Sequence, residues 1–282
     1  MLETARSKSG VLTIAFNNPN KLNAWTLPLM KQFLQTIQHA QNDPDTKGLV
    51  ITGNGKYYSA GVDLPSLLKP MQPSKLVQQL QQQNQTCFQT FIDCKKPIVA
   101  AVNGPAIGAA VTSSILTDAV IASERATFSL PFAKLGVPPE GCSSVTFPER
   151  MGQAAADRML GVENWKPTAM QALEAGLITE VVPSHGDMES DNSAVVARAV
   201  EYVEAVISSG KGRRYDEDEA DRLRRVNAEE SARLANAFVS AKFLASMEDW
   251  NRQKGKISLA YGFWLARLLL PFWQPAPVQS RL

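Results

Sequence analysis

The stretch that decides the fold covers residues 98–140 and begins IVAAVNGPAIGAA. Its first five residues form a continuous apolar run, which is typical of a buried strand. Asparagine, glycine and proline then turn the chain toward a helix, and a second apolar run, AVIA, follows at residues 119–122. The stretch ends at Glu140, a carboxylate between a pair of prolines and a glycine. A strand, a turn, a helix and another strand in this order predict an α/β fold with parallel pairing.

The same alternation extends toward the N-terminus. Residues 11–16 (VLTIAF) are rich in strand formers, and residues 48–53 (GLVITG) predict a short buried strand. Between these two strands, Thr26 is a candidate N-cap for a helix over residues 27–40. The N-terminal part therefore repeats the pattern of the central stretch.

The next segment, residues 65–85, is polar and rich in glutamine. We interpret it as a mobile loop that runs into a helix ending near Ile92. The order up to the central stretch is then strand, helix, strand, loop and helix, which continues the α/β pattern.

Beyond residue 143 the sequence becomes mainly helical, with one short extended piece at residues 176–183. We place a soft boundary between a core, residues 1–200, and a C-terminal helical region with a targeting tail, residues 201–282. The helices predicted for this half cover residues 154–160, 169–175, 193–209, 217–247 and 257–270.

Composition argues against several classes of protein. The chain has 282 residues, is 44% hydrophobic and carries a formal net charge of +2, so a large core is possible and no nucleic-acid surface is indicated. Three cysteines, Cys87, Cys94 and Cys142, lack a Cys-x-x-Cys spacing, which argues against a disulfide framework or a zinc site. The two histidines are isolated, so we expect no metal.

The most apolar tract lies near the other end of the chain. Residues 261–273 contain Arg267 and Pro271 and are fewer than the about 20 residues that a helix needs to cross a bilayer. We therefore expect a docked amphipathic helix and no membrane span. The first residues, MLETAR, lack the apolar segment of a secretory signal.

Two turns stand out because each carries a glycine before small or apolar residues where a strand gives way to a helix. They are SAGVDL at residues 59–64 and GPAIGAA at residues 104–110. Backbone N–H groups at a helix N-terminus lack intrahelical partners and favour negative charge. Two such turns side by side would direct two donors at one oxygen, which is an oxyanion hole. The alternative is that the small residues serve close packing.

Taken together, several motifs resemble the crotonase superfamily, the enoyl-CoA hydratase/isomerase family. The resemblance covers about residues 8–183. The order and spacing of the motifs together are more specific than any single motif. Within the family the chain looks closest to the peroxisomal Δ3,Δ2-enoyl-CoA isomerases, on residues 139–144, 147–148 and 226–230. The motifs shared with the whole family lie at residues 17–24, 59–64, 96–104, 127–128 and 135–136.

The resemblance implies a crotonase-like spiral of strand-strand-helix repeats with a C-terminal helical trimerisation region. It implies a CoA thioester as substrate, no separate cofactor, and a homotrimer or a dimer of trimers. The oxyanion donors would be the N–H groups of Val62 and Ala109. The residues that the resemblance places at the CoA site are Lys21, Leu22, Ala24, Ala60, Gly61, Val62, Asp63, Leu64 and Gly108.

The departures from the hydratase pattern are as informative as the matches. Enoyl-CoA hydratases use two glutamates, and this chain has Thr112 and Phe132 at those positions, where both would border the acyl pocket. The single carboxylate is Glu140, which would be the catalytic base as in the isomerases. The alternative for Glu140 is an exposed glutamate in a proline-rich turn.

Other candidates receive structural interpretations. We expect Cys142 to pack rather than act as a nucleophile, because no histidine is near it in the sequence. We expect Asp63 to cap or orient its turn, and Glu124 and Glu149 to be solvated.

The resemblance implies isomerisation of 3-enoyl-CoA to trans-2-enoyl-CoA, in the oxidation of unsaturated fatty acids. The alternatives are another crotonase reaction, such as hydration or dienoyl-CoA isomerisation, or a non-catalytic acyl-CoA-binding scaffold. The final tripeptide, Ser280-Arg281-Leu282, resembles the peroxisomal signal Ser-Lys-Leu. We therefore expect recognition by the import receptor and location in the peroxisomal matrix.

Overall fold

Within the part of the chain that the structure describes, the main sheet has six strands, five of which run parallel. The computed structural model describes residues 1–64, 72–184, 192–210, 213 and 215–270. The described strands are β1 (Leu2–Arg6), β2 (Val11–Phe16), β3 (Gly48–Gly53), β4 (Ile98–Val102), β5 (Ala106–Ile107), β6 (Ala119–Ser123), β7 (Phe128–Ser129) and β8 (Glu180–Val182). The sheet order is β1-β2-β3-β4-β6-β8, in which only the β1–β2 pair is antiparallel. The parallel pairing predicted from the alternation of apolar runs is confirmed.

A second, shorter layer of pairing follows the main strands. Strands β5 and β7 form a two-stranded parallel sheet, and Ser59 bridges to Ala106 in the same direction. Trp25 and Val62 form a further parallel bridge. Strands β2, β3, β4 and β6 of the main sheet are thus each followed by a short extended piece. This arrangement confirms the crotonase-like spiral of strand-strand-helix repeats.

The helices agree with the predictions in most positions. Thr26 precedes the helix Leu27–Asn42 (α1) but makes no side-chain capping bond, whereas Thr168 forms a full capping box with Gln171 at the start of the helix Ala169–Glu174 (α7). The described helices are α1 (Leu27–Asn42), α2 (Pro73–Ile92), α3 (Ala109–Ile115), α4 (Phe132–Leu135), α5 (Ser143–Met151), α6 (Gln153–Leu160), α7 (Ala169–Glu174), α8 (Ser193–Ser208), α9 (Glu217–Ala237), α10 (Ala241–Gln253) and α11 (Ile257–Leu269).

One predicted element agrees with the structure and another needs correction. The segment of residues 65–85 runs into a helix that ends at Ile92, as predicted, and this helix begins at Pro73, since proline suits the first position of a helix. Residues 65–71 lie outside the described residues. The helix expected over residues 217–247 is two helices, since Ser240 accepts a hydrogen bond from the N–H of Phe243 and so caps α10.

Strand β4 shows why the core sequence is continuously apolar. Ile98, Ala100 and Val102 belong to the larger hydrophobic cluster on one face of the sheet. Val99 and Ala101 belong to a second cluster on the other face, where α8 packs. A strand covered on both faces has no polar side, which explains the apolar run. The boundary predicted near residue 200 falls inside α8, so this helix belongs to the core.

The C-terminal region is helical, as predicted. Helix α9 packs along α2, and α10 packs between α4 and α11. The apolar surface of helix α11 is only partly buried, since Ile257, Tyr261 and Leu268 remain exposed. None of the described helices is long and apolar enough to cross a membrane. The trimerisation assigned to this region stays a prediction.

Candidate active site

The two glycine turns lie side by side, as the sequence suggested. The N–H of Ile107 donates to the carbonyl of Ser59 at 3.0 Å, which joins the second turn to the first. The Ser59 hydroxyl donates to the carbonyl of Asn23 and accepts from the N–H of Gly61. A Cβ on Gly61 would lie 2.4 Å from the Ile107 carbonyl oxygen, and its φ is +78°, so only glycine allows this approach.

The N–H groups of Val62 and Ala109 have no hydrogen-bond acceptor within the described part of the chain. Trp25 pairs with the residues on either side of Val62, donating to Gly61 and accepting from Asp63, which leaves the Val62 N–H unpaired. Gly108, at φ +59° and ψ −128°, turns the chain into α3, whose first residue is Ala109. Val62 and Ala109 both line one cavity. This geometry is compatible with the predicted oxyanion hole, which stays a prediction.

The cavity has a volume of about 590 Å³ and runs from the two turns to Glu140. This size is within the usual range for small-molecule sites. Of the residues predicted to contact substrate, the wall includes Leu22, Ala24, Ala60, Gly61, Val62, Asp63, Leu64, Gly108, Ala109, Phe132 and Glu140.

Two predicted contact residues lie outside this wall. Lys21 is exposed in the short turn of residues 19–21. Thr112 is fully buried in α3, and its hydroxyl donates to the carbonyl of Ala109. Because α3 begins at the cavity and continues into the core, Thr112 contributes nothing to the cavity wall.

Glu140 is buried, with only 7% of its surface exposed, so the exposed-turn alternative is wrong. The Nδ2 amide of Asn84 donates to Glu140 Oε2 at 2.5 Å. Burial raises the pKa of Glu140 to about 7, the charge of Glu230 adds to this rise, and the hydrogen bond from Asn84 opposes it. A carboxyl with this pKa can both accept and return a proton near neutral pH.

Helix α9 supplies a chain of hydrogen bonds behind Glu140 that the sequence did not reveal. The Ser231 hydroxyl donates to Asn84 Oδ1 at 2.8 Å, and Asn227 Nδ2 donates to the carbonyl of Gln85. Glu230 accepts from the backbone N–H groups that follow Glu140. One feature of the sequence could have indicated these hydrogen bonds: polar residues spaced three and four positions apart, on a face of the helix that also carries leucines.

The structure also brings residues to the cavity that no motif marked. Leu80, Asn84 and Cys87 line it from α2, Leu234 lines it from α9, and Phe238 lines it from the position just after α9. Three cations, Lys134, Lys254 and Lys256, are also part of the wall. Since α2, α9 and the lysines are far apart in sequence, only the packing of the helices places them together.

The other residues considered in the sequence analysis make contacts that stabilise the structure. Cys142 is buried, its thiol donates to the carbonyl of Leu223, and burial raises its pKa, all of which suits packing rather than nucleophilic attack. Glu149 is exposed and pairs with Arg222, and Glu124 is exposed and accepts from the N–H of Ser184. Asp63 lines the cavity and its N–H donates to the carbonyl of Trp25, which ties the turn together.

Comparison with known proteins agrees with this fold. Residues 6–254 match the family described as enoyl-CoA hydratase/isomerase. The chain belongs to the enoyl-CoA hydratase/isomerase family. Among solved structures, an enoyl-CoA hydratase/isomerase from Pseudoalteromonas atlantica T6c superposes with a TM-score of 0.72 at 25% identity, covering 89% of this chain and 97% of that one.

Curated members of the family include similar proteins with isomerase names. The chain is 36% identical over 257 residues to "Enoyl-CoA delta isomerase 2" of Rattus norvegicus, covering 89% of this chain and 63% of that protein. It is 35% identical over 262 residues to "Enoyl-CoA delta isomerase 3, peroxisomal" of Mus musculus, covering 90% of this chain and 79% of that protein. The chain thus spans less than two thirds of the length of the rat relative.

Proposed function

We propose that this protein is a Δ3,Δ2-enoyl-CoA isomerase that converts 3-enoyl-CoA to trans-2-enoyl-CoA. The observation that carries the proposal is Glu140, a buried carboxyl with a raised pKa in the same cavity as two backbone N–H groups that have no acceptor among the described residues. The isomerase names of relatives at 35–36% identity support the same reaction.

In the proposed reaction, Glu140 takes a proton from C2 of the acyl chain. The electrons of the broken C–H bond spread over a dienolate, and negative charge develops on the thioester oxygen. The N–H groups of Val62 and Ala109 would bind that oxygen, and one such donor contributes about 3–4 kcal/mol in well-studied hydrolases. Glu140 then returns the proton at C4, so the double bond moves to C2–C3 and the enzyme is regenerated.

Hydration is the nearest alternative within the family. It needs a base that activates a water molecule, and the resemblance assigns that task to two glutamates where this chain has Thr112 and Phe132. Thr112 is buried outside the cavity wall, and Phe132 puts an apolar ring into it. Glu140 is the one glutamate of the described wall, and a lone glutamate beside an apolar ring suits a proton shuttle better than the positioning of a water molecule.

The cations in the cavity wall fit the anionic end of a CoA thioester. Lys134, Lys254 and Lys256 carry positive charge, and phosphate groups are the natural partners of lysine ammonium groups. We propose that the phosphates of CoA lie at these lysines and that the acyl chain extends along the apolar wall of α2 and α9. CoA is then part of the substrate, and no separate cofactor is proposed.

The test is an isomerase assay with 3-enoyl-CoA esters of several chain lengths, run on the parent, on Glu140→Gln and on Glu174→Gln. Glu174 is an exposed glutamate of α7 and serves as the matched control. We expect turnover by the parent and the control and none by Glu140→Gln, whose amide cannot accept the proton. Formation of 3-hydroxyacyl-CoA from 2-enoyl-CoA would favour hydration, and binding without any turnover would favour a scaffold.

We also propose a peroxisomal location. The word peroxisomal in the name of the mouse relative supports it. The prediction that Ser280-Arg281-Leu282 is the signal falls outside the described residues and stays a prediction. A tagged chain should form puncta, and the same chain lacking Leu282 should remain cytosolic. Identical distributions of the two forms would reject the tripeptide as the signal.

A further inference from the structure

Glu230 is a buried carboxyl that the proposed reaction does not use. It lies on α9, has no exposed surface and is outside the described cavity wall. Its Oε2 accepts from the N–H of Cys142 at 2.7 Å, and its Oε1 accepts from the N–H of Ser144 at 3.0 Å. Both oxygens of the carboxyl are therefore bound to the turn that directly follows Glu140.

This turn needs an external partner. Cys142 precedes α5, and its own side chain makes no capping bond. The first N–H groups of a helix lack intrahelical acceptors, and Glu230 on another helix accepts from two N–H groups at this helix start, those of Cys142 and Ser144. Cys142 is also a non-glycine residue at φ +62°, a left-handed conformation that persists only where the surroundings hold it. The bonds to Glu230 supply that constraint two residues after the base.

We infer that Glu230 is a positioning residue: it holds the turn of residues 140–144 so that Glu140 faces the substrate, and its charge acts on Glu140. The inference rests on the proposed function, because it assigns Glu140 as the base.

Glu230 acts on Glu140 in two ways: it binds the turn that follows Glu140, and its charge acts on the Glu140 carboxyl. The groups that act on Glu140 in the described residues are Asn84 on α2 and Glu230 on α9, and Glu140 in turn helps to raise the pKa of the Cys87 thiol on α2. The Glu230 charge raises the pKa of Glu140, whereas the Asn84 amide lowers it. Arg233, one turn further along α9, acts on Glu230 in turn. Removal of the Glu230 charge should therefore lower the pKa of Glu140.

The test compares Glu230→Gln with Glu229→Gln. Glu229 is the adjacent residue on α9 and is 70% exposed, which makes it the matched control. For Glu230→Gln we expect kcat at pH 8 to fall about tenfold or more with KM nearly unchanged, because the base is misplaced while the binding wall remains. We also expect the inflection of the pH–rate profile to move to lower pH. A profile and a kcat that match those of Glu229→Gln would overturn the inference.

A second variant covers the case in which Glu230→Gln does not fold. Glu230→Asp keeps the charge but is one methylene shorter, so it cannot reach both N–H groups. We expect its kcat to fall while its inflection stays near that of the parent. A Glu230→Asp variant with the kcat and KM of the parent would show that reach across the turn does not matter, which contradicts the inference.

A readout without turnover separates this inference from the proposed function. Carbon-detected NMR of labelled glutamate can follow the ionisation of Glu140 in the parent, in Glu230→Gln and in Glu229→Gln. We expect the titration to move to lower pH only in Glu230→Gln. If the parent isomerises no 3-enoyl-CoA, the proposed function fails, yet this shift still supports the action of Glu230. If the titration of Glu140 is unchanged in Glu230→Gln while the parent is an active isomerase, the action of Glu230 on Glu140 is rejected and the proposed function still stands.

Discussion

Replacing Glu140 by glutamine should alter the pH dependence of stability as well as turnover. The carboxyl has an ordinary pKa of 4.5, and burial raises it to about 7 in the folded protein. Between pH 4.5 and about pH 7, Glu140 is therefore protonated in the folded protein but ionised in the unfolded chain. The stability that comes from this proton is fully present below pH 4.5 and is lost as the pH rises to about 7.

The size of this loss follows from the shift. Each pKa unit corresponds to about 1.4 kcal/mol, so the full effect of the rise from 4.5 to about 7 is about 3.4 kcal/mol. About 2.5 kcal/mol of it should develop between pH 5 and pH 8. Glutamine does not titrate, so the Glu140→Gln variant lacks this loss. We expect the free energy of unfolding of the variant, relative to the parent, to increase by about 2.5 kcal/mol from pH 5 to pH 8.

The assay is urea unfolding of both proteins at the two pH values, followed by circular dichroism. All samples share one protein concentration, because any assembly would add to stability. Glu174→Gln, at an exposed position, should change with pH as the parent does. If Glu140→Gln and the parent lose stability in parallel, within about 1 kcal/mol, Glu140 does not take up its proton on folding and the reasoning fails.

Three further predictions concern the reaction. In the parent, kcat/KM should rise about tenfold per pH unit below pH 7 and level off above it, since Glu140 must be ionised to accept a proton. A flat profile from pH 5 to 8 would show that Glu140 does not act in the rate-determining step. Ala109→Pro lacks the N–H and should lower the rate by about a hundredfold, provided circular dichroism confirms the fold; a folded variant with a normal rate would place the oxyanion hole elsewhere. Asn84→Ala removes the donor that lowers the pKa of Glu140, so the inflection of its pH–rate profile should move to higher pH, and a downward shift would contradict the assigned hydrogen bond.

The sequence by itself determined the α/β class, the parallel pairing and the candidate base. Continuous apolar runs such as residues 98–102 arise because both faces of the strand are covered, and this signal is local. Glycines at positions 61 and 108 mark backbone conformations that other residues avoid, so the turns were also visible. Glu140 was recognisable from its place in a family motif.

The tertiary structure alone decided what surrounds these residues. The position of Glu140 in the sequence does not indicate its burial, and its raised pKa depends on α2 and α9, which are supplied by distant parts of the chain. Residues 226–230 matched the isomerase pattern, but only the packing of the helix showed that Glu230 and Ser231 face inward. Thr112 was placed at the acyl pocket by analogy, but the direction of α3 carries it into the core. Local patterns encode backbone conformation and solvent exposure along one element. The electrostatics of a buried group arises from contacts between elements, which no local pattern contains.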